Sequence, residues 1–204
     1  MVKILAIDQS LSNTGYSVFV DGFYKKSGSF KFSVVDAKCN ICVSERLCEI
    51  KNNIVELIDE YSGFDYIIIE GYSYSQNSSA LTGLYELGGI LKLIAYEYNC
   101  KLIIIAPTLA KKFLNMNDKY KEGKETGLSN KEITYIAIKN KYQKFDFKDD
   151  DEADAFNFMY ILKEYFKYLK NPQNYNRVEV EVFLQLSEQL KVIDDCKGNH
   201  YKIK

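Results

Sequence analysis

Histidine is nearly absent: the 204 residues hold one, His200, in a polar tail. That argues against a histidine general acid or a histidine-activated nucleophile. No apolar run approaches 18 residues, so no membrane-spanning helix is expected. No Gly-x-x-x-x-Gly-Lys-Ser/Thr stretch is present, which excludes a P-loop nucleotide site. The opening MVKILAID is too short and too quickly acidic for a secretory signal. Prolines number two, Pro107 and Pro172, and each reads as the end of an element. Charge of one sign is also missing. The net charge is −1 and the pI near 6.0, which does not advertise a nucleic-acid binder. The five cysteines are an odd number and scattered. They read as reduced thiols of a cytosolic protein. Cys39-x-x-Cys42 lacks the two further ligands a zinc site needs.

What is present is an ordinary globular composition, 47% apolar and 27% charged, in a length that fits one core. Lys3–Ile7 is an apolar run ending at Asp8, followed by a turn-rich stretch to Thr14. Strands are expected over Gly15–Val20 and Ser27–Val34, making an antiparallel meander with the first. Helical spacing runs from Ile41 to Tyr61 and from Ser79 to Tyr98. Three glycines in the second helix (Gly83, Gly88, Gly89) suggest close packing there. Asp65–Glu70 and Leu102–Ala106 are short continuous apolar runs, the pattern of strands buried on both faces. Short helices are expected over Thr108–Leu114 and Asn130–Lys141, with a polar loop, Asn115–Leu128, between them. A long helix starts near Asp150 and stops before Pro172; its acids suit the positive end of the helix dipole. Glu179–Val192 is amphipathic. The order predicts an α/β layered fold, a mixed sheet with helices on both sides. Residues 1–170 form the main domain, and 171–204 a C-terminal extension without an assigned role.

Two acids stand at strand ends, Asp8 and Glu70. In open α/β sheets chemistry collects there. Asp151 and Asp154 are three apart at a helix start and share one face. If that helix packs beside the strand ends, four carboxylates converge. Such a charge needs a cation. Oxygen donors without clustered histidine point to magnesium, with manganese as a substitute. Two ions about 4 Å apart would bind one phosphodiester, one activating water and the other stabilising the leaving 3′ oxygen. Asp150 and Glu152 remain alternative participants. Charge is uneven: Lys101–Lys148 contains 11 lysines against 5 acids, so a basic surface adjoins the acidic cluster. Tyr72, Tyr74 and Tyr120 fall in expected loops, where they would stack on unpaired bases.

The segments ILAIDQSLSNTGYSVF, IIIEGYSYS and DDDEADAFNF resemble the three acidic motifs of the RuvC family of Holliday-junction resolvases. LTGLYELGGILKLI is similar to that family's Gly-containing helix, and IIIAPTLAKKF to its strand, proline and basic helix. Together the likeness covers about residues 3–165, and its lysine-rich style is that of phage-encoded members. It implies an RNase H-like fold with a mixed five-stranded sheet. It also implies a homodimer and magnesium-dependent paired nicking of four-way junctions in the cytoplasm of a bacterium or phage-infected host. Asp8, Glu70, Asp151 and Asp154 match the catalytic, metal-binding acids. Lys111 and Lys131 match basic positions, and Lys112 adjoins the first. These lysines, with Tyr72, Ser73 and Tyr74, are the expected DNA contacts. Ser73 stands where the family often carries an aromatic wedge, a departure in this chain. The helix around Gly83–Tyr96 is the expected dimer interface.

Three other readings compete. An RNase H-like nuclease for flaps, forks or RNA–DNA hybrids would share the same acids. An actin-like ATPase or sugar kinase would need a second phosphate hairpin and a Gly-rich adenosine motif, and neither is found. A non-catalytic junction-binding protein is expected to have lost at least one acid, and all four are present.

Overall fold

The structure, a computed structural model, describes residues 2–33, 39–71, 79–116, 123 and 125–200. Tyr72, Ser73, Tyr74 and Tyr120, and much of the loop expected over Asn115–Leu128, lie outside the described residues.

The elements run β1 (Lys3–Asp8), β2 (Asn13–Val20), β3 (Phe23–Lys31), α1 (Asn40–Glu60), β4 (Tyr66–Glu70), α2 (Ser79–Glu97) and β5 (Lys101–Ile105). There follow α3 (Pro107–Phe113), α4 (Asn130–Lys141), α5 (Asp150–Tyr168), a 3-10 turn (Pro172–Asn174) and α6 (Arg177–His200). The five strands lie in the order β3-β2-β1-β4-β5. The first three pair antiparallel, and β1–β4 and β4–β5 pair parallel. The sheet is mixed, as the sequence predicts.

Strand alternation sorts the apolar runs onto two faces. Leu5, Ile7, Ile67 and Ile69 bury against α1 and α2. Ile4, Ala6, Ile68, Ile103 and Ile105 bury against α3 to α6. Both faces are covered, which is why β1, β4 and β5 read as continuous rather than alternating hydrophobic segments.

β3 begins earlier than the sequence predicts. Asp21 and Gly22 both have positive φ, 51° and 86°, and close a two-residue hairpin. Asp-Gly is a favoured pair for such a turn. The exposure of Phe23 and Tyr24 hides the strand's start from a search for buried alternation.

The expectation of separate thiols fails at one place. Cys39 and Cys42 form a disulfide across the first turn of α1, their Cα atoms 5.3 Å apart. Residues three apart on a helical turn are neighbours. Cys48 and Cys100 take part in no disulfide.

α6 belongs to the main core. Val182, Phe183, Leu186 and Leu190 are buried among the side chains of the α3–α5 face. The Phe183 ring meets Phe113, Tyr165, Tyr168 and Tyr175. Among the described residues, no helix is long and apolar enough to cross a membrane.

Two glycines set close approaches. Gly83 of α2 faces Leu11, in the loop after β1, so a side chain there would collide with it. Gly15 of β2 lies under the first turn of α5, where a Cβ would be driven into the main-chain carbonyl of Asp151. Gly15→Ala is therefore expected to destabilise the protein by about 2 kcal/mol or more, as overpacking does. Urea unfolding checks this; an unchanged midpoint would show that α5 does not need the close approach.

Candidate active site

Asp8 and Glu70 are the last residues of β1 and β4. These strands are parallel neighbours with Ile7 opposite Ile69, so both carboxylates emerge at the same sheet end. α5 packs across β1 and β2 and brings its first turn to that end. Asp8, Glu70, Asp151 and Asp154 all line one cleft of about 420 Å³, together with Gln9, Lys111 and Lys131. Asp8 and Asp151 are buried, at 8% and 7% exposure.

Local hydrogen bonds separate the roles within the acidic run. Asp149 is the N-cap of α5, accepting from the Glu152 main-chain N–H at 2.9 Å. It also accepts from Ser29 Oγ at 2.7 Å and pairs with Lys31. Buried Glu152 accepts from Ser27 Oγ and from the Lys148 main-chain N–H. Both side chains therefore tie α5 to β3 and to its own cap. Asp150 pairs with Lys131 Nζ at 2.5 Å. The two that reach the cleft are Asp151 and Asp154.

The turn after Asp8 is closed by its own polar groups. Thr14 Oγ1 donates to the Ser10 carbonyl at 2.6 Å, and Ser10 Oγ accepts from the Asn13 N–H at 3.3 Å. Buried Arg46 of α1 donates to the Leu11 and Ser33 carbonyls. Two amides of this turn reach the acids. Asn13 Nδ2 donates to Asp151 and to Asp149, and Gln9 Nε2 donates to the Glu70 carbonyl at 2.5 Å. Neither amide was singled out in the sequence. The only signal was their place in the turn that follows Asp8.

Lys131 of α4 bridges Asp150 and Asp151, the latter at 3.1 Å. Lys111 of α3 lines the same cleft. Lys112, expected beside Lys111 at the DNA, faces away. Its ammonium pairs with Glu181 of α6, because adjacent helical residues point about 100° apart.

The electrostatics are those of crowded like charges. Burial pushes the Asp8 carboxyl well above its usual range, and Asp154, Glu70 and Asp151 add to the rise. Burial likewise raises Asp154 to about 7, with help from Glu70 and Asp151 and opposition from Lys131 and Lys111. Glu70 is raised by burial and eased by Lys111. Asp149 behaves oppositely: burial pulls upward, but hydrogen bonds from Ser29, the Glu152 N–H and Asn13 hold it low.

Among the described residues, no three carboxylate, thiol or imidazole groups are drawn as close together as a bound ion would hold them. Asp151 is satisfied by Lys131 and Asn13. The donor set still fits a hard divalent cation. It is all oxygen, and among the described residues it includes a buried acceptor with no hydrogen-bond partner, Gln9 Oε1.

The raised acids have a signed consequence. A carboxylate whose folded pKa lies above its unfolded one favours folding when protonated. For Asp154 that stabilisation is complete below about 4 and is lost as pH rises through about 7. Asp154→Asn is thus expected to raise the melting temperature in EDTA at pH 8, with the gap from wild type closing near pH 4. Saturating magnesium should stabilise wild type more than the variant. Thermal unfolding across pH checks both; a gap constant with pH would refute the crowding.

A family model described as "Crossover junction endodeoxyribonuclease RuvC" matches residues 4–144. That span contains Asp8 and Glu70 and stops before Asp151. The crossover junction endodeoxyribonuclease RuvC of Akkermansia muciniphila is 26% identical over 110 residues, 54% of this chain and 65% of that protein. The chain thus matches just under two thirds of that relative's length. Among solved structures, Thermus thermophilus RuvC in complex with a Holliday junction substrate superposes with a TM-score of 0.58 at 14% identity, covering 83% of this chain and 96% of that one. The yeast mitochondrial Holliday junction resolvase superposes with a TM-score of 0.50 at 13% identity, covering 97% and 84%. At these identities the superpositions show a shared fold. With more than half of its length matched by the family model, the chain belongs to the RuvC family of crossover junction endodeoxyribonucleases.

Proposed function

We propose that this chain is a structure-specific endodeoxyribonuclease that resolves four-way DNA junctions by paired nicking, with Asp8, Glu70, Asp151 and Asp154 as its metal-binding catalytic acids. The observation that carries this reading is the convergence of those four carboxylates on one cleft, in a chain of this family. Magnesium is the expected ion and manganese its substitute, because every donor in the cleft wall is a hard oxygen. Bound cations would supply Lewis-acid activation of water and charge neutralisation at the scissile phosphate.

The protein's own groups do the rest. Asp8 and Glu70 sit on rigid strand ends, which fixes the distance between them. Asp151 and Asp154 come from one helical turn, so α5 presents both together. Lys111 and Lys131 line the cleft with the acids and would meet the flanking phosphates. Lys131 is held by Asp150 and Asp151, and cation binding at Asp151 would free its ammonium for phosphate. The region of residues 72–74 would contact the branch point. Two cuts in one junction call for two active sites, supplied by a homodimer. Tyr85, Leu93 and Tyr96, exposed on one side of α2, are the interface we assign. The compartment we assign is the cytoplasm, where the DNA substrate is.

On a synthetic four-way junction, magnesium should produce symmetric nicks. Asp8→Asn or Asp154→Asn should abolish cutting and leave junction binding without magnesium intact. A variant that cuts at the wild-type rate would sink the assignment. Equal or faster cutting of flaps or RNA–DNA hybrids would redirect it to another substrate. Light scattering should give the mass of a dimer, and a monomer at working concentration would remove α2 from the account.

A further inference from the structure

We infer that Gln9 is an additional, neutral oxygen ligand of the cation site; this rests on the four-carboxylate site proposed above. Gln9 follows Asp8 directly and lines the same cleft. Its Nε2 donates to the Glu70 main-chain carbonyl at 2.5 Å. A carbonyl oxygen only accepts, so the amide cannot be turned the other way. That contact fixes Oε1 as the free end.

Among the described residues, Gln9 Oε1 is buried and has no hydrogen-bond partner. A buried acceptor left unpaired costs roughly 1–3 kcal/mol, so such atoms usually have a use. Ionised carboxylates, the form a bound cation enforces, accept only and cannot satisfy it. The Lys131 ammonium is directed at Asp150 and Asp151. A hard divalent cation, or a water held by one, would satisfy it. Amide carbonyl oxygens are ordinary ligands for such ions, beside carboxylates and water. A neutral ligand also suits this position. It adds a donor without a fifth negative charge in a cleft where burial and mutual repulsion already penalise four. The same side chain then links two functions: its nitrogen holds the end of β4, and its oxygen faces the ion.

Manganese binding to the full chain at pH 8, followed by calorimetry or by the electron paramagnetic resonance of free Mn2+, tests this without any cleavage readout. Gln9→Met keeps the length and removes the hard oxygen; it should weaken Mn2+ binding about tenfold, the low end for a group that supports a metal site. Gln9→Glu keeps an oxygen but loses the donor to Glu70; it should bind Mn2+ at least as tightly as wild type. If both variants weaken binding equally, Gln9 only positions β4 and the inference is overturned. Binding by Gln9→Met within twofold of wild type overturns it as well. Asp8→Asn separates the two levels: it should lose Mn2+ binding. Wild-type chain that binds no Mn2+, or an Asp8→Asn chain that binds it normally, overturns the cation site itself and this ligand with it. Melting of each variant in EDTA confirms that the folded chain is being compared.

Discussion

Burial of several carboxylates in one cleft is the constraint around which this molecule is built. Asp8, Glu70, Asp151 and Asp154 line one cleft; burial raises Asp8, Glu70 and Asp154, the last to about 7, and neighbouring acids add to the rise of Asp8 and Asp154. Nothing in the packing requires acids there. An arrangement that costs the fold stability at neutral pH is the usual mark of a functional site. The account of cation binding follows from asking what would remove that cost.

The scaffold holds the repelling groups through contacts that cannot easily yield. Parallel pairing of β1 with β4 places Asp8 beside Glu70. The absence of a Cβ at Gly15 lets α5 approach β2 closely. Asp149 caps the helix and is bonded to β3 through Ser29, while Glu152 reaches Ser27 of the same strand. The helix is thus clamped at its acidic end, whose dipole favours negative charge. Two amides after β1 add to this: Asn13 holds Asp151, and Gln9 holds the end of β4. Lys131 partly neutralises the helix acids, which explains how the cleft tolerates its own charge.

Much of this was legible in the sequence, because it depends on periodicity. Ile67, Ile68 and Ile69 read as a doubly covered strand, and the structure divides them between two cores. The three-residue spacing of Asp151 and Asp154 placed them on one face of α5. The parts that were not legible depend on direction and on long-range pairing. Lys111 and Lys112 are adjacent and chemically identical, yet the helix turns one toward the cleft and the other toward Glu181. The start of β3 was missed because its first residues are exposed, although Asp21-Gly22 was a usable turn signal. Cys39-x-x-Cys42 lacks the further ligands of a zinc site, yet a single helical turn is enough to join the two sulfurs. The division of labour between Asp149, Glu152 and Asp151 rests on hydrogen bonds to β2 and β3, more than a hundred residues away in sequence.

The most direct test of the central claim is anomalous diffraction from crystals of the wild-type chain soaked in manganese. The account predicts a manganese peak in the cleft bounded by Asp8, Glu70, Asp151 and Asp154, with the Lys131 ammonium displaced from Asp151. A cleft without a peak at saturating manganese, with Lys131 still bonded to Asp151, would contradict it.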